Sequence, residues 1–283
     1  MSKILVTGGA GFIGTNLIKR LVKEGHTVVS LDNYSTGSKT NHVDYVEYIN
    51  GGIEEIQAHN VDDSELCFHL AAQSRVQPSF NNPLKSVEVN VTGTTKVMEW
   101  ARKNNVKVVY AGSASKHYNP SDSPYATTKM LGEMICKLYK QSYKVNVEIA
   151  RFYNVYGPLE PLDEKNGNVM GIWRTKINKK EPINIVGDGQ QKRDFTHVDD
   201  IVDGLIKIAE SNESHKDAWE LGCGVSYSIN ELAGFFEKRF NTNTRYIPEQ
   251  KGNVKITLNT NTDAIDRLGW NPKDELQNYI QRL

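Results

Sequence analysis

The sequence predicts an α/β protein: a doubly wound parallel sheet followed by a smaller C-terminal α/β lobe. Three observations predict it. Short apolar runs alternate with helical stretches through the first half, the pattern of parallel strands joined by crossover helices on both faces. A glycine-rich turn, Thr7-Gly8-Gly9-Ala10-Gly11-Phe12-Ile13-Gly14, joins the first apolar run to the first helical one. After about Gly157 the texture changes, and loops rich in Asn, Gly, Pro and Lys separate shorter elements.

Residues 3–6 read as the first strand and 12–24 as a helix, with Ile13, Leu17 and Leu21 at four-residue spacing and Gly25 as its stop. Strands are expected at 27–31, 45–49, 65–70 and 106–111, with one long helix over 84–103 that sets Val87, Val91, Met98 and Ala101 on one side. A helix over 125–141 and a strand over 145–150 follow. Further on, Ser228 with Glu231 three residues later forms a capping box before an amphipathic helix, and 262–268 and 273–283 read as short helices. Residues 1–157 are therefore assigned to the doubly wound domain, to which 188–210 return, and 158–187 with 211–283 to the second lobe.

The chain has 283 residues, 38% hydrophobic and 24% charged, which places it among globular proteins with a sizeable core. Its formal net charge is +0, so no general attraction to nucleic acid or membrane is expected. Lys176, Lys179 and Lys180 read as a solvated helix face. Three widely spaced cysteines, Cys67, Cys136 and Cys223, argue against a disulfide framework and a zinc site, and no metal is expected. Cys67 lies in an apolar run and reads as a small core residue. The chain enters a strand almost at once, with no leader pattern and no apolar stretch long enough to span a bilayer, so the expected location is cytoplasmic.

The glycine turn carries the first functional expectation. Glycines there permit a tight turn, let phosphate approach the backbone, and allow helix and strand to pack closely. The helix that starts near Phe12 aims free amides at a pyrophosphate. Asp32 ends the second strand at the spacing from which a carboxylate accepts the ribose hydroxyls of a dinucleotide. It would repel a 2′-phosphate, and Asn33 follows it where a cation would serve NADP. The expected arrangement is a Rossmann site for NAD, with Gly8, Gly11, Phe12, Ile13, Asp32 and Asn33 as contacts.

With these residues in view the chain resembles the extended short-chain dehydrogenase/reductase family, in particular its NAD-dependent epimerase/dehydratase branch, to which UDP-glucose 4-epimerases belong. The resemblance runs nearly end to end: Thr-Gly-Gly-Ala-Gly-Phe-Ile-Gly at 7–14, Leu-Asp-Asn at 31–33, His-Leu-Ala-Ala-Gln at 69–73 and Asn-Val-Thr-Gly-Thr at 90–94. It continues through Tyr125-Ala-Thr-Thr-Lys129, Arg-Phe-Tyr-Asn-Val-Tyr-Gly-Pro at 151–158, Arg-Asp-Phe-Thr-His-Val-Asp-Asp at 193–200 and Leu-Gly-Trp at 268–270. The resemblance implies that Leu70, Ala71 and Ala72 line the cofactor, that Asn90 helps order the site, and that Phe152 passes near the nicotinamide. It also implies that Asn154, Asn168 and Arg193 hold a nucleotide diphosphate, and that His69 and His197 are scaffold. The same likeness makes the helices over 84–103 and 125–141 a candidate homodimer face.

Tyr125 and Lys129 lie four apart, on one face of a helix. A tyrosine with its ordinary pKa of about 10 is a poor base, and a nearby ammonium with a positive nicotinamide ring favours its phenolate. Lys129 also has donors for the nicotinamide ribose. Ser113 ends the preceding strand, at the carboxyl edge where open α/β sheets bind ligands, and would hydrogen-bond the reacting oxygen. Ser115, of the same strand parity, is a candidate substitute or helper for it.

Related dehydratases and decarboxylases carry an extra acid or base beside the serine. Here Ala114, Ser115, Lys116 and His117 follow Ser113, so elimination is disfavoured. That leaves epimerisation of a nucleotide sugar, a UDP-sugar foremost, through a transient 4-keto sugar. The alternatives are a keto-reductase, which would consume NADH, or a dehydrogenase, which would consume NAD, on the same scaffold, and a non-catalytic NAD-binding protein. Three departures from the family pattern stand out. The Ser113-to-Tyr125 gap is short, which predicts an open pocket roof. Gly52-Ile53 replaces an Asp-Ile pair, which either weakens NAD binding or leaves the adenine contact to Ile53 alone. Glu249-Gln250-Lys251-Gly252-Asn253 lacks the usual arginine, so Gln250 or Lys251 is expected to take over the phosphate contact, with Lys251 entered among the substrate residues.

Overall fold

The computed structural model describes residues 2–283. Its strands are β1 (Lys3–Thr7), β2 (Thr27–Asp32), β3 (Glu47–Asn50), β4 (Leu66–His69), β5 (Lys107–Ser113), β6 (Val147–Phe152), β7 (Asn154–Tyr156), β8 (Ile183–Val186), β9 (Lys192–His197), β10 (Trp219–Leu221), β11 (Ser226–Ser228) and β12 (Thr244–Ile247). A central seven-stranded sheet runs in the order β10-β6-β5-β4-β1-β2-β3, with every pairing parallel. The chain moves outward from β1 to β3, then returns to the other side of β1 at β4. Ligands of such sheets bind in the crevice at this reversal, beyond the carboxyl ends of the strands.

The helices are α1 (Phe12–Lys23), α2 (Val76–Asn81), α3 (Pro83–Val87), α4 (Thr94–Asn104), α5 (Pro124–Tyr143), α6 (Val169–Asn178), α7 (Val198–Glu210), α8 (Ile229–Phe240), α9 (Asp263–Leu268) and α10 (Leu276–Arg282). Alternate residues of a strand point to opposite faces, and β1 shows the result. Leu5 packs with Val97, Trp100 and Val108 in the core beneath α4 and α5, whereas Ile4 and Val6 pack with Leu17, Ile201 and Leu205 beneath α1 and α7. Burial on both sides explains why the strands read as continuous apolar runs. A third core, built from Trp173, Ile185, Phe195, Leu232 and Phe236, holds the lobe. The capping box at Ser228 and Glu231 is present.

Several elements differ from the expectations. The strand expected at 45–49 begins only at Glu47, because Tyr45 stands at φ 65° with its ring in solvent. The helix expected over 84–103 runs from Pro83 to Asn104 but contains a π-helical turn at Glu88–Gly93, which carries Asn90. The return from the lobe also follows a different course. β9 joins a three-stranded sheet with β7 and β11, not the central one, and α7 alone comes back onto the central face. The strand that completes the central sheet is β10, beyond residue 210, so 211–283 are shared between the two halves. Three fully buried residues are too few to display a period, which is why this strand is silent in the sequence.

Candidate active site

A cavity of about 770 Å³ opens at the carboxyl ends of the central strands and runs on against the lobe. Its first wall is the glycine turn. Gly8 has φ +73°, and a Cβ there would lie 2.9 Å from the backbone of Ala71. A Cβ on Gly14 would lie 2.2 Å from the Gly8 carbonyl oxygen, so the turn, the β4 loop and α1 pack at backbone contact. Gly8, Gly11, Phe12 and Ile13 face the cavity, and the N-terminus of α1 opens onto it. Asp32 holds the turn from the side: Oδ2 accepts the Ala10 amide at 2.9 Å and Oδ1 the Tyr34 amide at 2.8 Å. A carboxylate oxygen can accept a second hydrogen bond, and Asp32 still borders the cavity next to Asn33, Ser35 and Thr36. No lysine or arginine lines the wall within this stretch. Ile53, Leu70, Ala71, Ala72 and Phe152 complete this half. Close backbone, an unobstructed helix N-terminus and a carboxylate at the strand end fit an NAD molecule.

Asn90 does not line the cavity. It is buried, and its amide accepts the Gln73 N–H at 2.8 Å while donating to the Gln73 carbonyl and to Thr128 Oγ1, both at 3.0 Å. It orders the loop after β4 from behind.

The reactive end gathers the three expected side chains. β5 ends at Ser113, and Ser123 caps α5 so that Tyr125 falls in its first turn. The Tyr125 hydroxyl donates to Ser113 Oγ at 3.2 Å, and Ser115 Oγ donates to the same atom at 2.9 Å. The Lys129 ammonium, 4% exposed, donates to the Ala111 carbonyl and lies 4.4 Å from the Tyr110 ring centroid. Burial pulls Lys129 down from 10.5 to about 8, with Glu133 opposing. The electrostatics correct one expectation. Burial holds the Tyr125 phenol above its ordinary value, offset in part by the Ser113 hydrogen bond and by the charge of Arg75. The cation that acts on this phenol within the protein is Arg75, not Lys129.

Behind Ser113 lies a buried ionic cluster. Glu133 Oε1 accepts the Ser113 N–H at 3.3 Å, and the Arg151 guanidinium grips Glu133 at 2.7–3.0 Å. The same guanidinium reaches Asp217 at 2.7 Å and Glu220 at 2.8 Å. The short turn after Ser113 is tied to these acids, Lys116 to Asp217 and His117 to Glu220, both at 2.8 Å.

On the lobe side Asn154, Asn168 and Arg193 line the cavity. Asn154 Nδ2 donates to the Asp194 carbonyl and Thr257 Oγ1; Asn168 caps α6 through the Gly171 amide and donates to Glu160. Arg193 donates to Asn253 Oδ1 at 2.6 Å and to the Lys192 carbonyl. Lys251 is not in the wall. Gly252, at φ +74°, turns the chain so that Gln250 and Asn253 face the cavity while Lys251 points to solvent. His69 is buried between Thr7 and Thr94, and burial lowers it to about 3, so it is a neutral scaffold residue. His197 caps α7. Arg75 escapes sequence reading altogether. It precedes α2 in a loop with no periodicity, yet it enters the cavity beside Tyr125.

The model of the NAD-dependent epimerase/dehydratase family matches residues 4–222. The chain belongs to this family. A UDP-glucose 4-epimerase of Mycolicibacterium smegmatis is 32% identical over 99% of this chain and 96% of its own length. The UDP-glucuronic acid decarboxylase 2 of Arabidopsis thaliana is 28% identical over 97% of this chain and 66% of its own. Among solved structures, UDP-glucose 4-epimerase from Thermotoga maritima with UDP-glucose superposes at TM-score 0.90, with 27% identity, over 99% of this chain and 96% of that one. As a member of this family the chain uses NAD, which suits the wall built by the glycine turn and Asp32.

Proposed function

We propose that the chain interconverts nucleotide sugars epimeric at C4, UDP-sugars foremost, through a transient 4-keto sugar. The observation that carries this reading is the Tyr125–Ser113 contact at 3.2 Å, with Lys129 one turn on, inside a cavity long enough to continue into the lobe. NAD held against the glycine turn and Asp32 supplies reversible hydride acceptance. The protein's own groups handle the proton and the grip. Ser113 orients the reacting hydroxyl, and Tyr125, as the phenolate that Arg75 and the positive nicotinamide ring would favour against its burial, takes that hydroxyl's proton and later returns it. Lys129, fixed by the Ala111 carbonyl, serves the ribose of the cofactor. Arg193, Asn154 and Asn168 face the nucleotide diphosphate and keep the sugar from leaving.

Acid–base chemistry at a neighbouring carbon has no agent in the turn after Ser113. Its one carboxylate, Asp122, bonds Asn119 at the surface, and Glu133 is committed to Arg151 and absent from the cavity wall. This favours epimerisation over elimination or decarboxylation. The test is incubation with UDP-, dTDP- and GDP-sugars without added reductant, products being resolved by NMR. Epimer formation is expected. Product that appears only with consumption of NADH would instead establish a reductase. Tyr125→Phe should lower turnover by roughly three orders of magnitude or more, the scale of positioned acid–base catalysis, with NAD affinity little changed.

We also propose a homodimer. α3 and α5 leave Leu84, Val87, Met134 and Leu138 exposed along one side, an apolar surface that a second copy would cover.

A further inference from the structure

Four cations line the cavity: Arg75, Lys129, Lys165 and Arg193. Lys129 is bound to the Ala111 carbonyl, Lys165 is exposed, and Arg193 gives its amino groups to the Lys192 carbonyl and to Asn253. Arg75 differs. Its Nε donates to the Asn166 carbonyl at 2.8 Å, and neither amino group has an acceptor or a carboxylate partner among the described residues. A guanidinium anchored at Nε presents its remaining fork in a fixed plane, the geometry that matches two oxygens of a phosphate.

Its surroundings point the same way. Asn166, which anchors it, lies two residues before Asn168, the cap of the ten-residue helix α6, whose N-terminus favours negative charge. On the other side the turn that carries Gln250 docks onto the Arg75 loop: Gln77 Nε2 donates to the Lys251 carbonyl at 2.9 Å, and a Cβ on Gly252 would lie 2.9 Å from Val76. The wall is thus neutral at Gln250 and cationic at Arg75, directly beside it. We propose that Arg75 binds the diphosphate of the nucleotide sugar, its free fork taking two phosphate oxygens between the α6 N-terminus and the Gln250 turn. This rests on the nucleotide-sugar reading above and adds to it a residue that holds the substrate.

Calorimetric titration of the full chain with UDP, dTDP and GDP first selects the nucleotide that binds. That diphosphate, its monophosphate, UDP-glucuronate and NAD are then titrated into wild type, Arg75→Ala and Arg75→Lys. Arg75→Ala should weaken the diphosphate roughly 10- to 100-fold, the usual range for a lost charge-assisted hydrogen-bond pair, the monophosphate by less than the diphosphate, and NAD by less than about 3-fold. Arg75→Lys should recover part of the loss. Diphosphate affinity near wild type in an Arg75→Ala protein that still binds NAD would overturn the assignment. So would a loss confined to UDP-glucuronate, which would make Arg75 a contact for a sugar carboxylate. Should Arg75→Ala lose NAD as well, Arg75→Lys decides, and full diphosphate affinity there would overturn the fork. Failure of wild type to bind any of the three diphosphates would overturn the functional reading, and this one with it.

Discussion

Lys129 is an ammonium held in a site that disfavours its charge, and the consequence can be measured without substrate. Its folded pKa of about 8 lies below the ordinary 10.5. Below pH 8 both folded and unfolded chains carry the proton, and the folded state bears the full cost of burying it. Between pH 8 and 10.5 the folded chain releases the proton first, so the unfolded chain binds more and stability rises with pH. At about 1.4 kcal/mol per pKa unit, the charge costs the folded state about 3 kcal/mol at pH 7 and about 1 kcal/mol at pH 9.5. The wild type should therefore gain about 2 kcal/mol from this one group over that interval. Lys129→Met removes the group, and the other titrations cancel when the two proteins are compared. Urea unfolding at pH 7, 8, 9 and 9.5 should show the wild type gaining on the variant by about 2 kcal/mol as pH rises. A difference independent of pH, or one that moves the other way, would refute a buried, charged Lys129 and with it the electrostatic account of the site.

Arg151→Met should cost about 3–5 kcal/mol, because it takes the guanidinium from buried Glu133 and Glu220 and leaves them only Lys116 at 3.8 Å and the His117 ring at 2.8 Å. The deficit should shrink as pH falls toward 5 and the stranded carboxylates take up protons, and unfolding curves at both pH values check this. Gly8→Ala meets both a φ of +73° and the Ala71 backbone at 2.9 Å, so NAD affinity should fall at least about 10-fold in a fluorescence titration. Leu138→Glu places a charge on the exposed apolar side of α5, so light scattering should find a monomer for this variant and the proposed dimer for the wild type.

What the sequence revealed, and what it hid, follows from range. Gly8, Gly11 and Asp32 belong to one strand–turn–helix–strand unit whose local rules are strong. Tyr125 and Lys129 are neighbours on a helix, and Ser113 sits at a strand end whose position those rules set. The grip on the substrate was less legible because it comes from loops. Whether Gln250 or Lys251 faces inward depends on the left-handed conformation of Gly252. The role of Arg75 depends on a carbonyl 91 residues away. The ionic cluster joins Arg151 to partners 18, 66 and 69 residues distant, and no local spacing announces such a set. The π turn hid for another reason: it leaves the apolar spacing of a helix almost intact while rotating Asn90 toward Gln73.

The short stretch between Ser113 and Tyr125 suggests an open roof, and the structure shows how the turn itself is held in place. Shortening a surface loop changes its closure entropy only slightly, so its main consequence is lost contacts. Here the contacts are supplied by an ion pair and a histidine–carboxylate hydrogen bond. Lys116 and His117 bind Asp217 and Glu220, which flank or belong to the late strand β10. Arg151 binds the same two acids from the strand beside Ser113, and Glu133 takes the Ser113 amide. Groups buried in this way repay little of their desolvation as net stability. What they do fix is position: a carboxylate shared by two cations cannot serve both unless the strand, the turn and the helix meet in one register. The serine is thus located from its strand, from α5 through Glu133, and from β10 through Arg151, although the turn that follows it is too short to enclose it by itself.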